Sequence, residues 1–152
     1  MEEGEIPLPE LPVVAEGETT RGERWYLRAG GSPKTYDSML ETVHADGRRD
    51  QGGMSGPALY PGELLNVYLG RADQGPLRVV VRSDPQVQRL RLQSEKGARC
   101  DFFAPSAHDP AVGVNLFAAL LPWTTDVTSI QGMDADGLVL TVRTPRNPRR
   151  PT

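Results

Sequence analysis

The chain is punctuated by short segments that carry apolar side chains at alternate positions. Leu77-Arg78-Val79-Val80-Val81-Arg82, Gln88-Arg89-Leu90-Arg91-Leu92-Gln93 and Leu138-Val139-Leu140-Thr141-Val142-Arg143 are the clearest. Side chains alternate across a strand with period two, so each segment offers one apolar face to a core and one polar face to water. Turn signals such as Glu95-Lys96-Gly97 and Asp134-Ala135-Asp136-Gly137 separate them. The pattern predicts an antiparallel, all-β protein.

The same rhythm extends upstream through Leu64–Leu69 and Met39–His44 to Trp25 and Leu27. Ala98–Phe103 pairs back on Gln88–Gln93 across its turn, and Val127–Met133 forms a last hairpin with Leu138–Val142. Val114–Leu121 is apolar on both faces and reads as a fully buried strand, with a short helix as the alternative because of Ala118-Ala119. About nine strands at this spacing predict a β-sandwich. Two packed sheets of immunoglobulin-like kind are preferred over a jelly roll or a partly open barrel.

Length and composition fit one such domain. A chain of 152 residues suits a single core, while 38% hydrophobic residues imply that the core is modest. With 16 glycines and 14 prolines, turn-rich β structure is favoured over long helices. Residues 1–22 read as an acidic, proline-rich disordered tail, 23–144 as the β-sandwich domain, and 145–152 as a basic, proline-rich disordered tail. Ile6, Leu8, Leu11, Val13 and Val14 also equip the first tail to dock as an added strand or in a partner's groove.

Charge narrows the function classes. The formal net charge is −3, so neither nucleic acid nor an anionic membrane is an expected partner, and the basic tail carries no interleaved aromatic residues for base stacking. No apolar run is long enough to cross a bilayer, and Met1-Glu2-Glu3-Gly4-Glu5 is acidic where a secretory signal begins basic. A cytoplasmic location is expected. Only Lys34 and Lys96 are lysines among 17 basic residues, a GC-rich coding bias that suggests a bacterial source.

Residues 45–63, ADGRRDQGGMSGPALYPGE, read as the longest irregular stretch, and long loops in small domains are often functional. Arg48, Arg49, Met54 and Tyr60 are the binding-surface candidates there. Ser55 with His44, oriented by Asp46 or Asp50, is the catalytic alternative, a small hydrolase or transferase. The surrounding Gly53-Met54-Ser55-Gly56-Pro57 lacks the second glycine spacing of a serine elbow. His108 reads as part of an exposed turn and Cys100 as a buried small side chain. Asp134-x-Asp136-Gly137 resembles the start of a calcium loop but reads as a hairpin turn. One Cys and two His cannot supply a structural zinc site, and neither metal nor cofactor is expected. The expected function is a non-enzymatic protein-interaction or structural module, contacting a partner through a sheet edge, the 45–63 loop or the tails. A small-ligand carrier with a pocket between the sheets is the remaining alternative.

Overall fold

Residues 11–71 and 75–148 are described by a computed structural model; residues 1–10 and 149–152 of the two expected tails lie outside the described residues. The described residues form twelve strands: β1 (Val13–Glu18), β2 (Arg24–Gly31), β3 (Tyr36–Val43), β4 (Arg49–Met54), β5 (Leu65–Arg71), β6 (Leu77–Ser83), β7 (Arg89–Ser94), β8 (Arg99–Phe102), β9 (Ala107–Asp109), β10 (Val114–Leu121), β11 (Val127–Met133) and β12 (Val139–Arg143). Among them no helix is long and apolar enough to cross a membrane.

The strands make three antiparallel four-stranded sheets, ordered β1-β2-β3-β4, β5-β6-β10-β9 and β12-β11-β7-β8. The second sheet is the middle layer. Its residues Val79, Val81, Phe117 and Leu121 pack with Leu90, Leu92 and Ile130 of the third sheet. Its opposite face, with Val80, Leu116, Ala118 and Leu120, packs with Leu27, Ala29, Tyr36 and Leu40 of the first. Every residue of β6 is buried. Val114–Leu121 is a strand, because a segment covered on both faces and paired on both sides satisfies its backbone in the ladder with β6 and β9.

Two sheets were expected from the alternation; the third layer is the correction. Period two shows that Arg78 and Arg82 point away from Val79 and Val81, but not that another sheet lies there. The 45–63 stretch is also more ordered than its glycines suggest. Residues 49–54 are β4, paired with β3 from Val43↔Arg49 to Ser38↔Met54. A Cβ on Gly52 would run into Tyr68 and Arg78, and one on Gly53 into the Ser38 backbone. These glycines therefore serve close approach within a strand rather than a loop.

Described residues within both expected tails take part in the fold. Val13–Glu18 of the first is β1, paired with β2. In the second, Asn147 Nδ2 donates to the Val127 carbonyl (2.9 Å) while its Oδ1 accepts from Val127 N–H (2.8 Å), an amide side chain doing the work of a backbone pair between Pro145 and Pro148. His108 lies on β9, with Nδ1 2.8 Å from Asn115 Oδ1, and not in an irregular turn.

Arg82 joins the first two layers. Its side chain is 0% exposed. Nε donates to Ser38 Oγ (3.0 Å), Nη1 to the Pro57 carbonyl (2.9 Å), and Nη2 to the Tyr36 (2.8 Å) and Met54 (2.6 Å) carbonyls. The guanidinium also sits 5.0 Å from the Tyr36 ring centroid. One planar cation thus fixes the start of β3, the end of β4 and the loop after it. Replacing Arg82→Met strands several buried acceptors and is expected to lower stability by about 2–4 kcal/mol, with Arg82→Lys intermediate, as read from denaturant unfolding midpoints at unchanged slope. Equal midpoints for all three proteins would remove this role.

Candidate functional site

Polar chemistry concentrates at one end of the seam between the first and second sheets. His44 directly follows β3 and closes the turn into β4, its N–H donating to the Arg48 carbonyl (2.8 Å). Asp50 lies opposite Thr42 in the hairpin, and Arg78 rises from β6 beneath it. Arg78 Nη2 donates to Asp50 Oδ1 (2.6 Å), and Asp50 Oδ2 is 2.6 Å from His44 Nε2. His44 Nδ1 faces Glu23 Oε2 at 3.9 Å, and Glu23 Oε1 accepts from Arg21 Nη2 (3.3 Å) and Thr19 Oγ1 (3.0 Å). Burial pushes the Asp50 carboxyl up, but hydrogen bonds from His44 and Arg78 outweigh it and hold the group below the ordinary carboxylate range. Thr42 Oγ1 and Arg78 Nε are buried at this seam without a hydrogen-bond partner.

A surface cleft of about 230 Å³, lined in part by Arg21, Glu23, His44, Arg48 and Trp123, opens beside this row of charges. A histidine acting as general base needs one ring nitrogen anchored and the other directed at the reacting group. Here each nitrogen faces a carboxylate. Ser55 lies beyond the far end of β4, about 16 Å along the strand from Asp50 at roughly 3.3 Å per residue. The structure brings Asp50 to His44 and does not bring Ser55 to either. Asp46 pairs instead with Arg48 on the exposed turn (2.8 Å), whose hydrogen bonds hold its carboxyl low. The row from Arg21 to Arg78 ties the β1–β2 turn, the β3–β4 hairpin and the middle sheet together.

The other sequence candidates are dispersed. Arg48 and Arg49 are exposed and paired, Arg49 with Glu41 at 3.5 Å. Met54 sits at the opposite end of β4 and packs on the core between the first and second sheets. Tyr60 is exposed in the loop beyond. Cys100 packs against the core, and burial, with Asp101 nearby, pushes its thiol pKa up. Asp134 Oδ1 accepts from the N–H groups of Asp136 and Leu138, capping the hairpin. Among the described residues no group of three or more His, Cys, Asp or Glu side chains could hold a metal ion.

The outer face of the third sheet was not singled out by sequence. Register places Val142, Gln131, Arg91 and Asp101 in one row across all four strands, with Val139, Met133 and Arg89 in the next. Arg91 and Arg99 both pair with Asp101, at 2.8 and 3.0 Å. A shallow cleft of about 200 Å³ crosses this face, lined in part by Arg89, Arg91, Phe103, Gln131 and Val139. Four of the six exposed large apolar side chains among the described residues belong to this sheet or its flanks: Phe103 (73% exposed), Leu138, Val139 and Val142. The available signal was apolar residues at consecutive positions, Phe102-Phe103 and Leu138-Val139-Leu140, since a strand cannot turn neighbours to the same core.

Comparison with family models, curated proteins and solved structures gives no match, so the functional reading rests on this geometry.

The Asp50 carboxyl has a lowered pKa in the folded protein, so its stabilisation is present above the unfolded carboxylate value, about pH 4, and is lost as pH falls through the folded value. Asp50→Asn leaves Arg78 with no carboxylate. It is expected to destabilise the protein by about 2–4 kcal/mol at pH 7 and to flatten the acid limb of a stability-against-pH curve. An acid limb of unchanged steepness would show that Asp50 does not carry it.

Proposed function

We propose that the chain is a non-enzymatic protein-interaction or structural module of immunoglobulin-like organisation, whose working surface is the outer face and edge of the third sheet. The observation that carries the reading is that Phe103, Leu138, Val139 and Val142, four of the six exposed large apolar side chains among the described residues, lie on or beside the two edge strands of that one sheet. Scattered apolar residues are ordinary on a surface, whereas here most of them gather at one sheet, and Phe103 and Val139 line one cleft across its outer face. The strand orders β5-β6-β10-β9 and β12-β11-β7-β8 support the finer architecture, because they correspond to the A-B-E-D and G-F-C-C′ sheets of such a sandwich. The first sheet is then an additional layer over A-B-E-D. The closed geometry around His44, with a carboxylate at each ring nitrogen, supports a non-catalytic role for the polar seam. Arginine-for-lysine usage supports a bacterial source.

The test is site-specific photo-crosslinking in the native host. A photoreactive amino acid at the position of Val142 or Gln131 is expected to give protein–protein adducts. The same group at Tyr26, on the outer face of the first sheet, is expected to give none. Adducts at Tyr26 with none at Val142 or Gln131 would overturn the assignment.

A further inference from the structure

The edge strand β12 lacks the usual protections. Natural sheet edges are blunted by lysine, proline or inward charge, because exposed backbone donors and acceptors recruit further strands. From Leu138 to Val142 the sequence is Leu-Val-Leu-Thr-Val, with neither charge nor proline. Leu138, Val139 and Val142 are exposed there. The first charges beyond are Arg143 and the exposed Arg146.

We propose that this edge receives the segment Glu5–Glu10 of a second copy of the chain as an added antiparallel strand. The inference rests on the interaction-module reading and narrows it to one edge and one occupant. The segment reads Glu5-Ile6-Pro7-Leu8-Pro9-Glu10. Alternate residues of a strand direct their backbone groups to the same side, so Ile6, Leu8 and Glu10 pair with β12 while Pro7 and Pro9 face outward. Proline has no N–H to offer, and the new edge is closed against another strand. Ile6 and Leu8 share one face beside Val139 and Val142. Antiparallel direction carries Glu2, Glu3 and Glu5 towards the exposed Arg146 and towards Arg143, which also faces Glu63 at 3.8 Å, so charge complementarity rests chiefly on Arg146 and adds to the apolar contact.

The occupant comes from a second molecule because the chain's own segment does not reach. Leu11 runs beside Gly30 in the first sheet, its carbonyl accepting from Arg28. The third sheet lies beyond the middle layer, about 20 Å away at roughly 10 Å per sheet-to-sheet spacing. The lateral offset adds to this. Arg143 donates to the Leu65 carbonyl, so β12 lies on the side of β5, and Gly52 of β4 lies beside Tyr68 of β5. That is the side of the first sheet opposite β1. Extended chain from Leu11 back to Ile6 covers at most about 17 Å, and the direct path crosses the core.

The assignment is tested on the full chain in a Cys100→Ser background, with Leu8→Cys in one preparation and Val142→Cys in another. Mixing under mild oxidation is expected to give a disulfide-linked dimer between the two and little product from either alone. A labelled peptide of residues 1–12 provides a readout on the unaltered chain. It is expected to bind the chain, and to bind Val142→Lys about tenfold more weakly. Product from Val142→Cys alone would mean that β12 pairs with itself, and it overturns the proposal. Photo-adducts of Val142 to a different protein, without mixed disulfide or peptide binding, would overturn it while leaving the module reading intact. Absence of both kinds of product would remove the two together.

Discussion

Everything in this fold depends on the middle sheet being covered twice. β6 and β10 have no solvent face, so each of their residues must suit one of two interiors. One interior, against the third sheet, is largely apolar, its buried Ser83 and Asn115 side chains both donating to the Val87 carbonyl. The other admits Arg78 and Arg82 and surrounds them with acceptors. Burying a guanidinium is tolerable only when nearly every donor finds a partner, and Arg82 finds four. That requirement fixes how the first sheet sits, since shifting β3 by one residue would turn Tyr36, Ser38 and Leu40 to the wrong face.

The two buried arginines differ in what they organise. Arg82 meets backbone carbonyls and a hydroxyl, neutral acceptors supplied by the chain path itself. Arg78 meets Asp50 and through it His44 and Glu23, a row of polar and charged side chains at the opposite end of the seam. The first acts as a geometric clamp and the second as an electrostatic one. Between them Tyr68 fills the room left by Gly52 and Gly70, where any side chain would collide with its ring or hydroxyl.

The sequence made the strands of the second and third sheets legible, because Leu77–Arg82, Gln88–Gln93 and Leu138–Arg143 alternate cleanly. It could not reveal what lay over Arg78 and Arg82, since an arginine facing water and one facing a sheet of acceptors have the same period. β4 escaped for a related reason: Gly52 and Gly53 signal a loop by propensity, and only the proximity of Tyr68 and the Ser38 backbone explains them as strand residues. β1 was masked by the prolines and glutamates around it. Within the candidate site, His44 and Asp50 were both visible as titratable groups on one stretch. Arg78, which completes their row, was hidden in a strand that reads as core.

The order of elements along the chain gives the shared middle layer a consequence for biosynthesis. The four strands of the first sheet leave the ribosome before β6 and well before β10, whose Leu116, Ala118 and Leu120 complete the surface on which they rest. At about 5–20 residues per second the interval from Met54 to Leu121 lasts several seconds. During that time Leu27, Tyr36 and Leu40 have no partner layer. The nascent hairpins of the first sheet are therefore the stretch of this protein most in need of a chaperone's shelter, although in the finished molecule they cover one face of the central sheet.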